Sequence, residues 1–424
     1  MATKFARELV LRICKQPRSF EYISQNLYGL DPLETKKLLQ SMITEDILVN
    51  IDERWVVKQV PVGQNLKLYP DESLSYLEKY MGYFAFLKTP HPLDFEWRNS
   101  TESLNRLLNR IQRLTSADDK LLFLGMPTLF ATAILRELNN PITLIERNKP
   151  ILKGLQSINI HPERFAIIDA DIFTVDPKTI PQHFAVVMDP PWYPPHFNQF
   201  MWLAANCISV GGFIAISLPP INTRPNVLEE RINLFNLCKD LGMCLEILQP
   251  NQLQYAMPFF EFNALRAGGV TNILPFWRKG DFVLFRKTME TNAQRPHNEF
   301  KDDPWVEKEY KSTRIRVKKE IKFTEEKIDS LEISNLVPGD ILGTVSSREP
   351  IRAKANIWTS GNRIYHVNNT DLFLKSIEAV LSGDIKNNNE QDTLKFLEMV
   401  STLEQKEFRE YVDWIYYEME RQID

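Results

Sequence analysis

The chain has 424 residues, 43% of them hydrophobic and 25% charged, which is globular composition with length for roughly two or three domains. Its net charge of -4 excludes a uniformly basic coat for nucleic acid while leaving room for local patches. The four cysteines, Cys14, Cys207, Cys238 and Cys244, form no C-x-x-C pair, so a disulfide framework or a metal centre is not expected, and a reducing, cytoplasmic setting is. No apolar run approaches the length of a membrane span, and the N-terminus lacks a signal-peptide pattern.

Residues 1–60 predict a small unit of their own. Apolar residues at helical spacing over 5–15 give a first helix. "SFEYISQNL" gives a second with Ser19 as its cap, and "DPLETKKLLQSMITED" a third with Asp31 as cap and Pro32 at the first helical position. "ILVNIDERWVV" follows as a hairpin turning at Asp52-Glu53. Three helices and a hairpin in this order resemble a winged helix. The third helix, carrying Lys36 and Lys37, would then be the recognition helix. The plainer reading is a unit that serves protein contacts or packs on its neighbour. Residues 61–119 form a connector that includes the amphipathic helix "NSTESLNRLLNRIQRL", opening near Ser100.

From Lys120 to Lys287 the pattern is alternating apolar strands and helices. The strands are "KLLFLGMP", "ITLIERN", "FAIIDADIF", "FAVVMDPPW", "GGFIAISLP", "MCLEILQ" and "DFVLFRK". Near-continuous apolar strands separated by helices predict an α/β domain with a doubly wound, mostly parallel, seven-stranded Rossmann-like sheet over 120–287. Residues 288–424 form a C-terminal mixed, largely helical region. Within it "TRIRVKKEIKF" reads as an exposed strand, and Arg348, Arg352, Lys354, Trp358 and Arg363 as a clustered basic loop.

Ligands of such sheets bind at the carboxyl ends of the strands. Gly125, Glu146, Asp169, Asp171 and Asp189 all fall at or near those ends. Gly125 allows close backbone approach before a helix whose first amides can receive an anion. Glu146 lies about twenty residues further on, a spacing that suits a carboxylate on two ribose hydroxyls. Asp169 or Asp171 could accept from an adenine amino group, and the pattern does not choose between them. The fourth strand ends in Asp189, Pro190, Pro191 and Trp192, followed by Tyr193. An exocyclic amine is a poor nucleophile because its lone pair is delocalised. The Asp189 carboxylate and the Pro190 carbonyl can both accept from its N–H groups and aim that lone pair at an electrophilic methyl group. The prolines fix φ, and Trp192 offers a face on which a base can stack. No metal is needed for this chemistry.

On these residues, "LLFLGMPTLF", "ITLIERN", "FAIIDAD" and "VVMDPPW", the chain resembles the class I S-adenosylmethionine-dependent amino-methyltransferases with an Asp-Pro-Pro-aromatic motif. Among them it is similar to the branch with a glycine-poor first motif. The preceding "FEWRNSTESL" also resembles a segment found there. The resemblance covers roughly residues 94–287. It implies S-adenosylmethionine at Gly125, Met126 and Glu146, with Asp169 or Asp171 at its adenine. It implies the target amine at Asp189, Pro190 and Trp192, adenine in DNA or RNA being the leading acceptor. Between the last two strands, Tyr255, Phe259, Phe260, Glu261, Trp277 and Arg278 are candidates for the substrate pocket. The chain is also similar to bacterial branched-chain polyamine synthases, which join a winged helix to this fold. It departs from them at Gly125-Met126-Pro127-Thr128, where a run of aspartates is expected. Transfer to a protein lysine or a polyamine, and a non-catalytic binding module, are the alternative readings.

Overall fold

The computed structural model describes residues 4–58, 87–94, 96–158, 161, 163–297, 304–319, 331–346, 348–383 and 390–420. The part of the expected connector before residue 87 therefore lies outside the described residues, as do 320–323 of "TRIRVKKEIKF" and most of the polar break "GDIKNNNEQD".

The N-terminal unit forms from its local signals. Helices α1 (Lys4–Ile13), α2 (Phe20–Asn26) and α3 (Pro32–Thr44) precede the antiparallel hairpin β1 (Leu48–Ile51) and β2 (Arg54–Val57). Ser19 accepts from the Tyr22 amide, and Asp31 from the Leu33 amide at 2.8 Å, so both caps satisfy amides left open by their helices. Asp52 and Glu53 both have positive φ, 48° and 60°, the mirror-image turn whose twist suits a two-residue hairpin. Ala6, Val10, Ile23, Leu39 and Met42 close a small core.

This unit is docked on the rest of the chain. Asn222 donates its side-chain amide to the Leu27 carbonyl at 2.8 Å, and its backbone amide to Tyr28 at 3.0 Å. Gly29, with φ +85°, sits where a Cβ would meet Thr223 Oγ1 at 2.6 Å, so only glycine allows the two loops to approach this closely.

Helix α4 (Thr101–Leu114) is capped by Ser100 and buries Leu104, Leu107, Leu108 and Ile111. Then come β3 (Leu121–Leu124), α5 (Pro127–Leu135), β4 (Ile142–Glu146), α6 (Lys149–Leu155), β5 (Phe165–Asp169), β6 (His183–Met188), α7 (Pro194–Cys207), β7 (Ile208–Leu218), α8 (Val227–Asp240), β8 (Met243–Gln254), α9 (Phe259–Ala267) and β9 (Lys279–Lys287). The seven strands order as β5-β4-β3-β6-β7-β9-β8. All are parallel except β9, which runs antiparallel between β7 and β8. Alternate strand residues feed two separate cores. Leu121, Phe123, Val187 and Ala215 pack beneath α4 and α5, while Leu122, Leu124, Val186 and Ile216 pack beneath α7 and α8. Both faces of the inner strands are covered, which is why these read as unbroken apolar runs, while the edge strands β5 and β8 are largely exposed.

The C-terminal region holds more sheet than its sequence suggests. Strands β10 (Trp305–Tyr310), β11 (Thr313–Lys318), β12 (Ile333–Asn335), β13 (Ile357–Thr359) and β14 (Ile364–Val367) pair antiparallel as β10-β11-β13-β14-β12. Helices α10 (Thr370–Ser382) and α11 (Glu390–Glu420) follow, and Phe373, Ile377, Phe396 and Val400 pack against Ile315 and Val317. The expected exposed strand is thus an interior one. Its Arg314 is buried on the opposite face, where Asp94 and Glu307 accept from it and from Arg316.

The Asp94 carboxylate is 1% exposed and ties the 87–99 segment to this sheet. Removing it leaves two guanidiniums short of a buried partner. Asp94→Ala should therefore lose about 3–5 kcal/mol of stability in urea unfolding. A loss under about 1 kcal/mol would show that Glu307 and water suffice.

Candidate active site

The sheet order reverses between β3 and β6, and both strands point their carboxyl ends into one cavity of about 810 Å³. After β3, Gly125 turns with φ +62° and donates to the Ile145 carbonyl at 3.0 Å. A Cβ there would meet only the Phe200 ring, at 3.7 Å, so the backbone is open towards the cavity. Pro127 then starts α5 at a position where its missing N–H costs nothing.

After β6, Asp189 occupies the cavity floor beside Pro190, Pro191, Trp192 and Tyr193. The segment 98–100 runs antiparallel to 254–256, with Ser100 N–H to Gln254 O and Ala256 N–H to Arg98 O both at 2.8 Å. That pairing brings Asn99 and Tyr255 together at the carboxylate. Asn99 Nδ2 donates to Asp189 Oδ2 at 3.4 Å. The Tyr255 and Ser217 hydroxyls are 2.5 Å apart, and the Trp192 ring meets Tyr255 edge-on at 5.6 Å. Burial pushes the Asp189 carboxyl up to about 6, while hydrogen bonds from Tyr255, Ser217, Asn99 and Trp192 pull the other way. Burial, then the Asp189 charge, raise the Tyr255 phenol well above its ordinary range, so it stays a donor. Asn99 Oδ1 is buried with no partner among the described residues, a spare acceptor beside the carboxylate.

The cavity lining collects Gly125, Met126, Asp189, Pro190, Pro191, Trp192, Tyr193 and Tyr255 from the sequence-based set, with Trp277 and Arg278. Glu146, Asp169, Asp171, Phe259, Phe260 and Glu261 are not on it. Glu146 is buried, and its Oε1 accepts from the Arg147 and Asn148 amides at 2.8 and 2.7 Å. Burial raises its carboxyl to about 7, with Glu96 adding to the effect. Asp169 pairs with Lys149, and Asp171 takes Arg147 at 2.7 Å and the Phe173 amide at 2.8 Å. Phe259 lies in α9 against Tyr411 and Trp414 of α11. Glu261 sits one layer behind the wall, paired with Arg278. Asn99 and Arg224 line the cavity and were not singled out from sequence, because each reaches it through a loop whose partner is remote.

Two expectations about the surroundings change. The presumed recognition helix α3 is a wall of this cavity, to which it contributes Leu33, Glu34 and Lys37. Lys36 donates to the Gly269 carbonyl at 2.5 Å and Lys37 pairs with Glu34 at 2.7 Å, so both cations already have partners. In the basic loop, Trp358 and Arg363 are 1% and 2% exposed, and Arg363 is held by Asp340, Glu407 and Glu410. Among the described residues no cluster of His, Cys, Asp and Glu has the makings of a metal site, and no helix is long and apolar enough to cross a membrane.

No family model matches the chain, and no curated protein matches it. Solved structures do. The branched-chain polyamine synthase of Thermus thermophilus, in complex with N4-aminopropylspermidine and 5'-methylthioadenosine, aligns with TM-score 0.53 at 12% identity, over 70% of this chain and 90% of that one. A TehB-like S-adenosylmethionine-dependent methyltransferase from Corynebacterium glutamicum aligns with TM-score 0.29 at 11% identity, over 44% and 88%. The fibrillarin pre-rRNA processing protein of Methanococcus jannaschii gives 0.31 at 10%, over 58% and 85%. The first likeness establishes a shared fold; the other two are too low to add to it.

The raised Asp189 carboxyl has a consequence for stability. Its folded value, about 6, lies above the ordinary 3.8. A group raised in this way stabilises the fold below the unfolded value and loses that contribution as pH rises through the folded one. Asp189→Asn, which cannot ionise, should match wild type near pH 4 and exceed it by about 2–3 kcal/mol at pH 8. Chemical unfolding at the two pH values checks this; equal differences at both would mean the carboxylate is well solvated.

Proposed function

We propose that this chain transfers a methyl group from S-adenosylmethionine to an exocyclic amine, with adenine in a nucleic acid as the acceptor. The observation that carries the reading is the joint placement of Asp189, Pro190 and Trp192 with Gly125, Met126 and Thr128 around one cavity. The open backbone at Gly125 suits close approach by the cofactor. Glu146 is the candidate for its ribose hydroxyls, with Asp169 or Asp171 towards its adenine, once these acids release Arg147, Lys149 or their own loop. Bound there, S-adenosylmethionine would supply the electrophilic methyl group.

The chain's own residues supply geometry. At pH 7 Asp189 is mostly ionised and accepts from one N–H of the amine. The Pro190 carbonyl accepts from the other, which fixes the direction of the lone pair. Asn99 donates to the carboxylate, and the Tyr255–Ser217 hydroxyl pair lies beside it and favours its charge. The cavity lining partly withdraws these groups from water, which strengthens fixed dipoles around the carboxylate. Trp192, half-buried with one edge on Tyr255, supports a base by stacking. In this reading the N-terminal winged-helix-like unit shapes the cavity and does not enter a DNA groove.

The fold shared with a polyamine synthase supports an aliphatic amine as the second reading. The charge of the cavity favours it less. Of the acids on its lining, Glu34 and Glu96 are neutralised by Lys37 and Arg98, which leaves Asp31 and Glu349 beside Asp189, and no run of acids replaces Gly125-Met126-Pro127-Thr128.

Transfer from tritium-labelled S-adenosylmethionine into DNA, RNA, protein and polyamine pools tests the proposal. Label should enter adenine. Asp189→Ala should keep cofactor binding by calorimetry and lose turnover. Trp192→Ala should weaken use of the base by about 1–3 kcal/mol, and Trp192→Phe should recover much of that. Wild-type turnover by Asp189→Ala would reduce Asp-Pro-Pro-Trp to a stiff turn, and label in spermidine alone would select the second reading.

A further inference from the structure

A second concavity, of about 740 Å³, opens on the C-terminal region where the end of β11 meets the 3-10 turn Pro350–Lys354 and strand β14. Its lining includes Lys318, Lys319, Lys354 and His366 and no carboxylate among the described residues. The chain as a whole carries 55 acidic against 51 basic residues, so three lysines without an acid are a local departure from its mean. None of the three lysines forms a salt bridge with a described residue.

This groove neighbours the active-site cavity. Leu336 lines both. Lys354, in the groove, and Arg352, in the cavity wall, share one short turn. Arg352 lies 4.3 Å over the Trp358 ring and donates to the Val345 and Ser346 carbonyls at 3.1 Å, which positions its guanidinium without spending its charge on an acid. Arg348 is half-exposed at the same rim, 3.9 Å from Glu230, which Arg224 already occupies. Arg224 in turn lies over Tyr193, next to Trp192. Arg348 and Arg352 thus bring positive charge to the cavity rim, which Glu349 shares, while Arg224 next to the Asp-Pro-Pro-Trp loop is held by Glu230.

We propose that this is the track of a single nucleic-acid strand, its phosphates on Lys318, Lys319 and Lys354 outside and on Arg352 and Arg348 at the rim. The inference rests on the nucleic-acid reading above and moves the contact from α3 to the C-terminal sheet. Lysines act as mobile point charges that suit phosphates of any sequence. A duplex does not fit, because Asp189 lies at the floor of a cavity walled by three parts of the chain, and a base reaches it only unpaired and unstacked.

The test is fluorescence anisotropy of the full chain with labelled oligouridylate and oligothymidylate over a range of salt, beside a duplex of the same length. Five phosphate contacts predict a log–log salt slope of about -3 to -4 for a single strand. The triple variant Lys318→Ala, Lys319→Ala, Lys354→Ala should reduce that slope by about 2, with melting temperature and calorimetric binding of S-adenosylmethionine unchanged. Tighter binding of the uridylate would name RNA as the source of the phosphates, and of the thymidylate, DNA. Salt-insensitive binding, an unchanged slope in the triple variant, preference for the duplex, or equal binding of polyglutamate would each overturn the track. Cofactor binding in the same samples separates the claims: a protein that binds S-adenosylmethionine and no strand loses the track alone.

Discussion

The burial of one carboxylate organises this molecule. Asp189 stands at the end of β6 with its charge half withdrawn from water, and each part of the chain contributes to keeping it there. Ser217 comes from the end of β7, and Tyr255 and Asn99 meet across a short antiparallel pairing beyond β8. The segment that carries Asn99 is anchored through Asp94 to the C-terminal sheet. The N-terminal unit closes another side by packing Leu33 against α9 and Gly29 against the loop after β7. A buried carboxylate costs stability unless it is hydrogen-bonded, and these contacts offset part of that cost. The remainder is what raises the carboxyl and makes the ionised group a strong acceptor.

Much of this was legible from the chain alone, because the signals are local. The inner strands announced themselves as apolar runs, since a sheet covered on both faces permits little else. Ser19, Asp31 and Ser100 are short-range caps, and Asp52-Glu53 is a turn, so each could be read within a few residues. The Asp-Pro-Pro-Trp loop stood out because prolines and a carboxylate interrupt a buried strand.

What was not legible depends on distant partners. "TRIRV" reads as an exposed strand until Asp94, 220 residues earlier in the chain, is seen to neutralise Arg314. Arg363 looks like part of a basic patch until Asp340, Glu407 and Glu410 close round it. Helix α9 shows little amphipathic pattern because α3, α11 and the core enclose it, so its Phe259 and Glu261 resembled pocket residues. Counting cations in sequence therefore overstated the basic loop. Of that loop Lys354 stays without an acid partner among the described residues, and Lys318 and Lys319 join it on one groove.

The central claim is that Asp189 works as an ionised acceptor partly withdrawn from water, and it is tested most directly by the pH dependence of methyl transfer. Wild-type kcat should fall as pH drops through about 6, where the carboxyl takes up a proton. Asp189→Asn keeps an oxygen acceptor that does not titrate, so its profile should lack that limb while retaining turnover. A wild-type profile flat between pH 5 and 8, or an unchanged limb in the asparagine variant, would contradict the account.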